Sequence, residues 1–245
     1  MTNHDLIATV NQHGYAVVPV PPTPDDPFDA HRRTAHELGL PDAYIPRLYR
    51  DPQVLKTVAQ PGPYNEIPRA DSPVPPWSEV PGQQFHVDGL LEPLGGIRTT
   101  FLHCLTQAHA GGATQLLLAC DAFTDLEATD AAAALSLTHP QALTRVATIP
   151  GTAPERLRST GPASGRVDGE LATRYSDGTT EIWNTTDNPD LQRALAYLRG
   201  PALDTHLVDI VLAPGQMLVF RNDRVSHRGR PYRNGARPRR LTRSM

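Results

Sequence analysis

Three residues of this chain have the types and the spacing needed to hold a divalent metal ion. His86 and Asp88 form an H-x-D triplet, and His227 follows far downstream. In an extended strand, residues i and i+2 point to the same side, so the triplet directs an imidazole and a carboxylate into one cavity. Two imidazoles and one carboxylate are the minimum set that binds Fe(II) on one face and leaves the opposite face open. The triplet alone is a weak signal, because a surface histidine beside a solvated aspartate arises often by chance.

Composition limits the classes of partner that this chain can have. Its 245 residues are enough for one well-cored domain, and a net charge of −3 with a pI near 6.3 does not favour nucleic acid or an anionic membrane. The start of the chain lacks the basic and apolar regions of a secretory signal, and no apolar stretch approaches the length of a membrane span. We therefore predict a cytoplasmic protein with a small-molecule substrate. Cys104 and Cys120 lie in apolar surroundings and are predicted to be small buried residues.

Short strands are the elements that must position the three candidate ligands. Apolar and β-branched patterns predict strands at 15–20, 83–88, 98–105, 114–119, 171–175, 181–184, 206–212, 216–221 and 239–243. Helices are expected at 29–38, at 121–135 with Asp121 as N-cap, and at 190–198, whereas 61–82 and 150–170 are expected to be loops. The pattern predicts a mainly β sandwich or barrel, in a single domain over 1–245 with a helical and loop insertion at about 125–205.

Further motifs accompany the triad in a fixed order. Residues 111–114 read G-G-A-T, residues 214–222 read P-G-Q-M-L-V-F-R-N, and residues 239–243 read R-R-L-T-R. Together with the H-x-D triplet and His227, this combination resembles the taurine dioxygenase/TfdA family of Fe(II)/2-oxoglutarate-dependent oxygenases, including its clavaminate synthase-like members. The matching blocks cover roughly residues 82–124 and 208–243. Each block alone is a weak to moderate signal, but four blocks in the correct order are specific.

The resemblance implies a fold and a set of site residues. The fold would be a double-stranded β-helix, the jelly-roll barrel of the cupin type, and His86, Asp88 and His227 would be the iron ligands. Thr114 occupies the threonine position of the G-G-x-T motif, which helps to hold the distal carboxylate of 2-oxoglutarate. Arg239 matches the first arginine of an R-x-x-x-R pattern and would pair with that carboxylate; its neighbour Arg240 is the alternative. An arginine fork suits this role because it binds a carboxylate bidentately.

Arg243 is the second arginine of that pattern. If Arg239 faces the barrel interior, Arg243 lies on the same face and is predicted to contact an anionic group of the substrate, with a structural ion pair as the alternative. The carboxylate of Asp88 also bears on the outcome of the reaction. Related halogenases carry a small residue there, so its presence favours hydroxylation, desaturation or ring chemistry.

These features predict an iron(II)-dependent dioxygenase that consumes 2-oxoglutarate and O2 and releases succinate and CO2. Its substrate is expected to be a small polar metabolite, such as an amino acid or a natural-product intermediate of secondary metabolism. Two alternatives stay open at this point. One is a cupin-type metalloenzyme that does not use 2-oxoglutarate, in which Thr114 and Arg239 would not be needed. The other is a non-catalytic jelly-roll protein that binds a small ligand.

Overall fold

A computed structural model describes residues 3–21, 26–40, 43–50, 64–67, 82–147 and 157–245. It is a mixed structure of helices and antiparallel strands. The helices are α1 (Asn3–His13), α2 (Asp29–Glu37), α3 (Ala119–Thr129), α4 (Ala131–Leu137) and α5 (Pro189–Arg199), with 3₁₀ helices at Arg47–Arg50 and Pro201–His206. The strands are β1 (Tyr15–Pro19), β2 (Tyr64–Ile67), β3 (Thr99–Thr106), β4 (Ala110–Gly111), β5 (Thr114–Leu117), β6 (Leu143–Val146), β7 (Arg158–Gly161), β8 (Ser164–Val167), β9 (Glu170–Thr173), β10 (Glu181–Trp183), β11 (Leu207–Ile210), β12 (Gln216–Arg221), β13 (Ser226–Gly229), β14 (Tyr232–Arg233) and β15 (Arg240–Ser244).

Two antiparallel sheets share the central hydrophobic core. The larger has the order β1-β12-β3-β15-β2, and the smaller has the order β11-β5-β13. Alternate residues of the larger sheet point to this core, because successive side chains of a strand lie on opposite faces. The core cluster takes members from both sheets, among them Leu102, Leu218, Phe220 and Leu241 from the larger sheet and Leu116 and Ile210 from the smaller.

Helices cover the other face of the larger sheet. Leu6 and Val10 of α1 and Ala30 of α2 pack with Phe101 and Val219, the side chains that point away from the central core. The sequence predicted α2 but not α1. None of the helices in the described ranges combines the length and the apolar character of a membrane span.

Residues 118–206 form an insertion between β5 and β11, two strands that are neighbours in the smaller sheet. It contains α3, α4 and α5, a sheet of order β10-β6-β7 and the hairpin β8-β9. These elements bury an apolar cluster of their own. Phe85 and Leu117 also belong to this cluster, so it is in contact with the part of the chain that forms the two central sheets. The insertion predicted at 125–205 falls within this segment. That it is an insertion within a jelly roll, and that the whole chain is a single domain, stay predictions.

One predicted strand and one predicted helix differ in the structure. Residues 83–88 do not form a strand; only His86 makes an isolated bridge to β13, because side chains rather than a strand bind the backbone groups of Val87 and Asp88. The helix predicted at 121–135 is two helices, α3 and α4. Asp121 lies inside the first turn of α3, and the N-cap of α4 is Asp130, whose non-helical backbone ends α3 and whose side chain accepts from Ala133 N at 3.0 Å.

Part of each predicted loop is a strand. Within 150–170, β7 pairs with β6 and β8 pairs with β9, whereas 148–156 lies outside the described residues. Within 61–82, β2 pairs with β15 as the edge of the larger sheet. Residues 61–63 and 68–81 also lie outside the described residues.

Candidate metal centre and cosubstrate pocket

The structure brings His86, Asp88 and His227 together although they come from distant parts of the chain. One potential ligand atom from each residue lies within 4.8 Å of the other two. The backbones of His86 and His227 form an antiparallel bridge with N···O distances of 2.9 and 2.8 Å, and the two imidazole centroids are 4.3 Å apart. Because β13 carries His227 into the smaller sheet, this bridge anchors the H-x-D triplet at the edge of that sheet.

Both imidazoles are in the chemical state that a metal ligand needs. Nδ1 of His86 donates to the carbonyl of Gln84 at 2.9 Å, which leaves Nε2 with its lone pair available. Burial lowers the pKa of His86 and lowers the pKa of His227 to about 3, so both rings are neutral at pH 7. His227 is buried and His86 is partly exposed, so the centre is closed on one side and accessible on the other.

Asp88 is a buried carboxylate whose two oxygens have different partners. Arg243 Nη1 donates to Oδ1 at 2.6 Å, and Thr100 Oγ1 donates to Oδ2 at 2.9 Å. Burial raises the pKa of Asp88, but the charge of Arg243 and the nearby imidazoles outweigh it and lower the pKa to about 2. Oδ2 lies 4.0 Å from Nε2 of His227. The carboxylate is therefore ionised, with Oδ2 oriented towards the imidazoles and Oδ1 held by a cation.

Asn222 fixes the backbone of Asp88. Its Oδ1 accepts from Asp88 N at 2.7 Å, and its Nδ2 donates to the carbonyls of Asp88 at 3.3 Å and Ile97 at 3.2 Å. No motif in the sequence marks a role for Asn222 or Thr100. The only signal for Asn222 was an amide placed directly after a strand, where such side chains often satisfy backbone groups.

Strand register places Thr114 on the same face as His227. Leu116 is the cross-strand partner of His227, and Thr114 is the partner of Gly229. Directly opposed residues of an antiparallel pair point to one side, and so do residues two apart on one strand. Thr114 is buried, at 4% exposure, and it lines a small cavity together with Cys104, Gly112, Arg239 and Leu241.

Arg239 reaches this cavity and Arg240 does not. Arg239 Nη2 donates to the carbonyl of Gly112 at 3.0 Å, and no carboxylate of the described residues lies within ion-pair distance of Arg239. Arg240 is exposed and pairs with Glu66 at 2.6 Å. The register between β15 and β3 shifts between Arg240 and Leu241, so strand alternation alone could not separate the two arginines.

Gly112 is needed for this approach. Its φ is +78°, and a Cβ at this position would lie 3.2 Å from Arg239 Nε. A side chain would strain the backbone and crowd the guanidinium. The second glycine of the G-G-x-T motif therefore allows the arginine and the threonine to line one pocket.

The chain matches the profile of the taurine catabolism dioxygenase TauD, TfdA family over residues 2–245. It belongs to this family. Two relatives named uridine-5'-phosphate dioxygenase are similar to it. One, from Amycolatopsis sp, is 41% identical over 93% of this chain and 82% of its own length. The other, from Streptomyces sp, is 36% identical over 98% of this chain and 88% of its own length.

Solved structures share the fold of this TauD/TfdA-family chain. The non-haem iron oxygenase OrfP in complex with Fe and alpha-ketoglutaric acid superposes with a TM-score of 0.66 at 16% identity, covering 99% of this chain and 78% of that chain. An asparagine oxygenase in complex with Fe(II), 2S,3S-3-hydroxyasparagine and succinate gives a TM-score of 0.68 at 15% identity, covering 99% and 78%. At these identities the likeness concerns the fold alone.

The protein is thus an iron(II)- and 2-oxoglutarate-dependent dioxygenase of the TauD/TfdA family that acts on a small metabolite. Two neutral imidazoles and an ionised carboxylate form a donor set that suits Fe(II). When bound, the iron supplies the oxidative chemistry that couples decarboxylation of 2-oxoglutarate to oxidation of the substrate. Family membership removes the two alternatives from the sequence analysis, a cupin-type enzyme without 2-oxoglutarate and a non-catalytic binding protein.

Proposed function

We propose that this enzyme oxidises uridine 5'-phosphate. The observation that carries the proposal is the 41% identity, over nearly the whole chain, to a relative named for that substrate. We further propose that His86, Asp88 and His227 hold Fe(II) and that Thr114 and Arg239 bind the distal carboxylate of 2-oxoglutarate. The reaction would consume one O2 and one 2-oxoglutarate and release one succinate and one CO2 for each nucleotide oxidised.

The architecture proposed for this activity is a single domain built on a double-stranded β-helix core. Two facing antiparallel sheets, with the ligands contributed by a segment at the sheet edge and by β13, support a jelly roll. The insertion between β5 and β11 would be part of the same domain, since Phe85 and Leu117 belong to its apolar cluster.

A nucleotide phosphate requires a cationic partner in the substrate pocket, and Arg243 is our candidate. Its Nη1 is bound to Asp88, while its Nε is buried and has no hydrogen-bond partner among the described residues. A buried donor without a partner is costly, and a phosphate oxygen would satisfy it. The ion pair with Asp88 and a contact with the substrate are therefore compatible, because they use different nitrogens of one guanidinium.

Turnover with defined substrates tests the proposal. The enzyme loaded with Fe(II) is given 2-oxoglutarate and either uridine 5'-phosphate, uridine, L-arginine or L-asparagine. Succinate formation and the mass of the organic product are then measured. We expect succinate and an oxidised product with uridine 5'-phosphate and at least tenfold less with uridine. Coupled turnover with an amino acid and none with the nucleotide would refute the nucleotide assignment.

A variant separates the role of Arg243 from that of the cosubstrate site. Arg243→Ala should raise the KM for uridine 5'-phosphate by about tenfold or more, which corresponds to the loss of one charge-assisted hydrogen bond of 1.5–3 kcal/mol. The KM for 2-oxoglutarate should change much less. An unchanged KM for the nucleotide would leave Arg243 as a structural partner of Asp88 only.

A further inference from the structure

A buried arginine of the insertion contacts the segment that carries the H-x-D triplet. Arg145 of β6 is 2% exposed. Its Nη2 donates to the carbonyl of Val87 at 2.8 Å, and its Nη1 donates to the carbonyl of Gly89 at 3.3 Å. These two carbonyls lie on either side of Asp88. One guanidinium thus spans the backbone of a candidate metal ligand.

The segment needs such a partner because only one side of it lies along a strand, β13. Backbone polar groups that are buried must be hydrogen-bonded, and between 86 and 89 only His86 makes a backbone bridge. Glu92 N donates to the Gly89 carbonyl at 2.9 Å, and side chains supply the other hydrogen bonds of residues 87–89. Asn222 holds the N–H and carbonyl of Asp88, and Ser176 Oγ accepts from Val87 N at 3.4 Å. Arg145 provides the bond to the Val87 carbonyl and, from the same rigid fork, a second and longer bond to the Gly89 carbonyl.

The charge of Arg145 is balanced from the side away from the triplet. Glu181 is its cross-strand partner in the β10–β6 pair, and Glu181 Oε1 lies 3.7 Å from Arg145 Nε. Glu181 is itself fixed by bonds from Gly178 N and Thr180 Oγ1, both at 2.8 Å. A buried cation with an oriented counter-ion keeps one geometry, since separating the pair would leave an uncompensated charge.

We propose that Arg145 is a positioning residue for the iron centre. By holding the carbonyls of Val87 and Gly89, it keeps Asp88 and His86 converged on His227 before the metal binds. The insertion then has a second task besides its own packing, which is to build the metal-binding segment. This inference rests on the proposed assignment of the three ligands, but it does not depend on the identity of the organic substrate.

Metal binding to the apoprotein tests this role without turnover. Arg145→Met removes both hydrogen bonds and the charge, and Arg145→Lys keeps the charge but cannot span two carbonyls. Arg174→Met is the matched control, because Arg174 is an arginine of the same insertion with the same 2% exposure that bonds to Ser159 and makes no hydrogen bond to residues 86–89. Each protein is titrated with Co(II), followed by visible absorption, and its thermal unfolding is measured without metal.

We expect the Kd for Co(II) to rise about 10- to 100-fold in both Arg145 variants, as is typical when a residue that supports a metal ligand is lost. Arg174→Met should bind Co(II) within about threefold of wild type even where its unfolding temperature falls as much as that of Arg145→Met. If Arg145→Met does not fold, the Kd of Arg145→Lys for Co(II) is the measurement that tests the proposal.

Two results would overturn the proposal. One is wild-type affinity in folded Arg145→Lys. The other is an equal loss of affinity in Arg174→Met, which would mean that general destabilisation of the insertion is the cause. His86→Ala is included to separate this failure from a failure of the ligand assignment, because wild-type Co(II) affinity in that variant would show that the metal binds elsewhere.

Discussion

Arg239 and Arg240 are adjacent in the sequence and differ in environment, so they form a matched pair for the cosubstrate site. Arg239 lines the cavity with Thr114, whereas Arg240 is exposed and paired with Glu66. Arg239→Ala should raise the KM for 2-oxoglutarate by about 100-fold, because a bidentate charged contact is lost. Arg240→Ala should leave it within about twofold, since an exposed ion pair contributes little. Initial rates of succinate formation give both values, and similar effects in the two variants would contradict the assignment.

Among individual residues, the sequence predicted those that belong to motifs and missed those that support them. His86, Asp88 and His227 stand in recognisable spacing, and the structure places them together. Thr100 and Asn222 contact Asp88 through one hydroxyl and one amide, but neither residue type is rare and no motif marks the pairing. Such contacts depend on the tertiary path of the chain, which one sequence does not define.

Among the elements, the break between α3 and α4 depends on one side chain. Asp130 caps α4 and also pairs with Arg193 of α5 at 2.7 Å. Asp130→Ala should lower the midpoint temperature of unfolding by a few degrees, while Asp130→Asn should retain most of the stability because an amide oxygen can still cap the helix. Asp121→Ala should have little effect, since Asp121 is exposed and caps nothing. Calorimetry of the three variants checks this order, and a larger loss in Asp121→Ala would contradict it.

The docking of α2 on β15 should make stability depend on pH. His31 of α2 is buried, with Nδ1 2.7 Å from Ser244 Oγ and Nε2 2.8 Å from Thr242 Oγ1. Burial lowers the pKa of His31 from 6.5 to about 3, with the nearby His103 lowering it further. Below pH 6.5 the unfolded chain therefore binds a proton that the folded chain excludes. The stability that neutral His31 supports is complete above pH 6.5 and is lost as the pH falls towards 3.

The corresponding measurement is the midpoint temperature of the apoprotein between pH 7 and pH 5. It should fall in the wild type, and it should fall less steeply in His31→Gln, which cannot be protonated. His31→Gln is expected to be less stable at pH 7 because one of the two ring contacts is lost. The same slope in both proteins would mean that other buried groups account for the whole dependence.

Among the elements, the sequence predicted best the strands that are buried on both faces. β3 and β12 are visible as apolar runs because Phe101 and Leu102, or Leu218 and Val219, point to different apolar layers. The segment at 83–88 has the same composition as a strand but makes only one isolated bridge to β13, so pattern alone predicted the wrong element there. The side chains of His86 and Asp88 nevertheless point to the same side. An extended backbone places residues i and i+2 on one side whether or not it is paired with another strand.

At the scale of the whole molecule, the strand order could not be read from local pattern. β12 lies between β1 and β3, and β5 lies between β11 and β13, so each sheet combines strands from both ends of the chain. Only the resemblance to a known family indicated that the two halves of the site meet. Pairing over such sequence separations is decided by global burial rather than by local propensity.

This long-range construction predicts strong linkage between metal binding and folding. The candidate ligands come from a segment at the sheet edge and from β13, so the unfolded chain cannot present them together. A redox-stable ion such as Co(II), at a hundredfold excess over its Kd, should stabilise the native state by about 2.7 kcal/mol. For a chain of this size, that corresponds to a rise of roughly 5–10 °C in the midpoint temperature.

Adding 2-oxoglutarate should raise the midpoint temperature again in the wild type and much less in Arg239→Ala. His227→Ala should show no metal-dependent rise, whereas Arg240→Ala, altered only at the surface, should show the full one. Scanning calorimetry with and without metal gives all four values. A rise in His227→Ala equal to that of the wild type would place the ion outside the triad. Arg240→Ala is the control for a nonspecific effect. If this variant showed no metal-dependent rise in midpoint temperature, the rise would not report on metal binding at the triad.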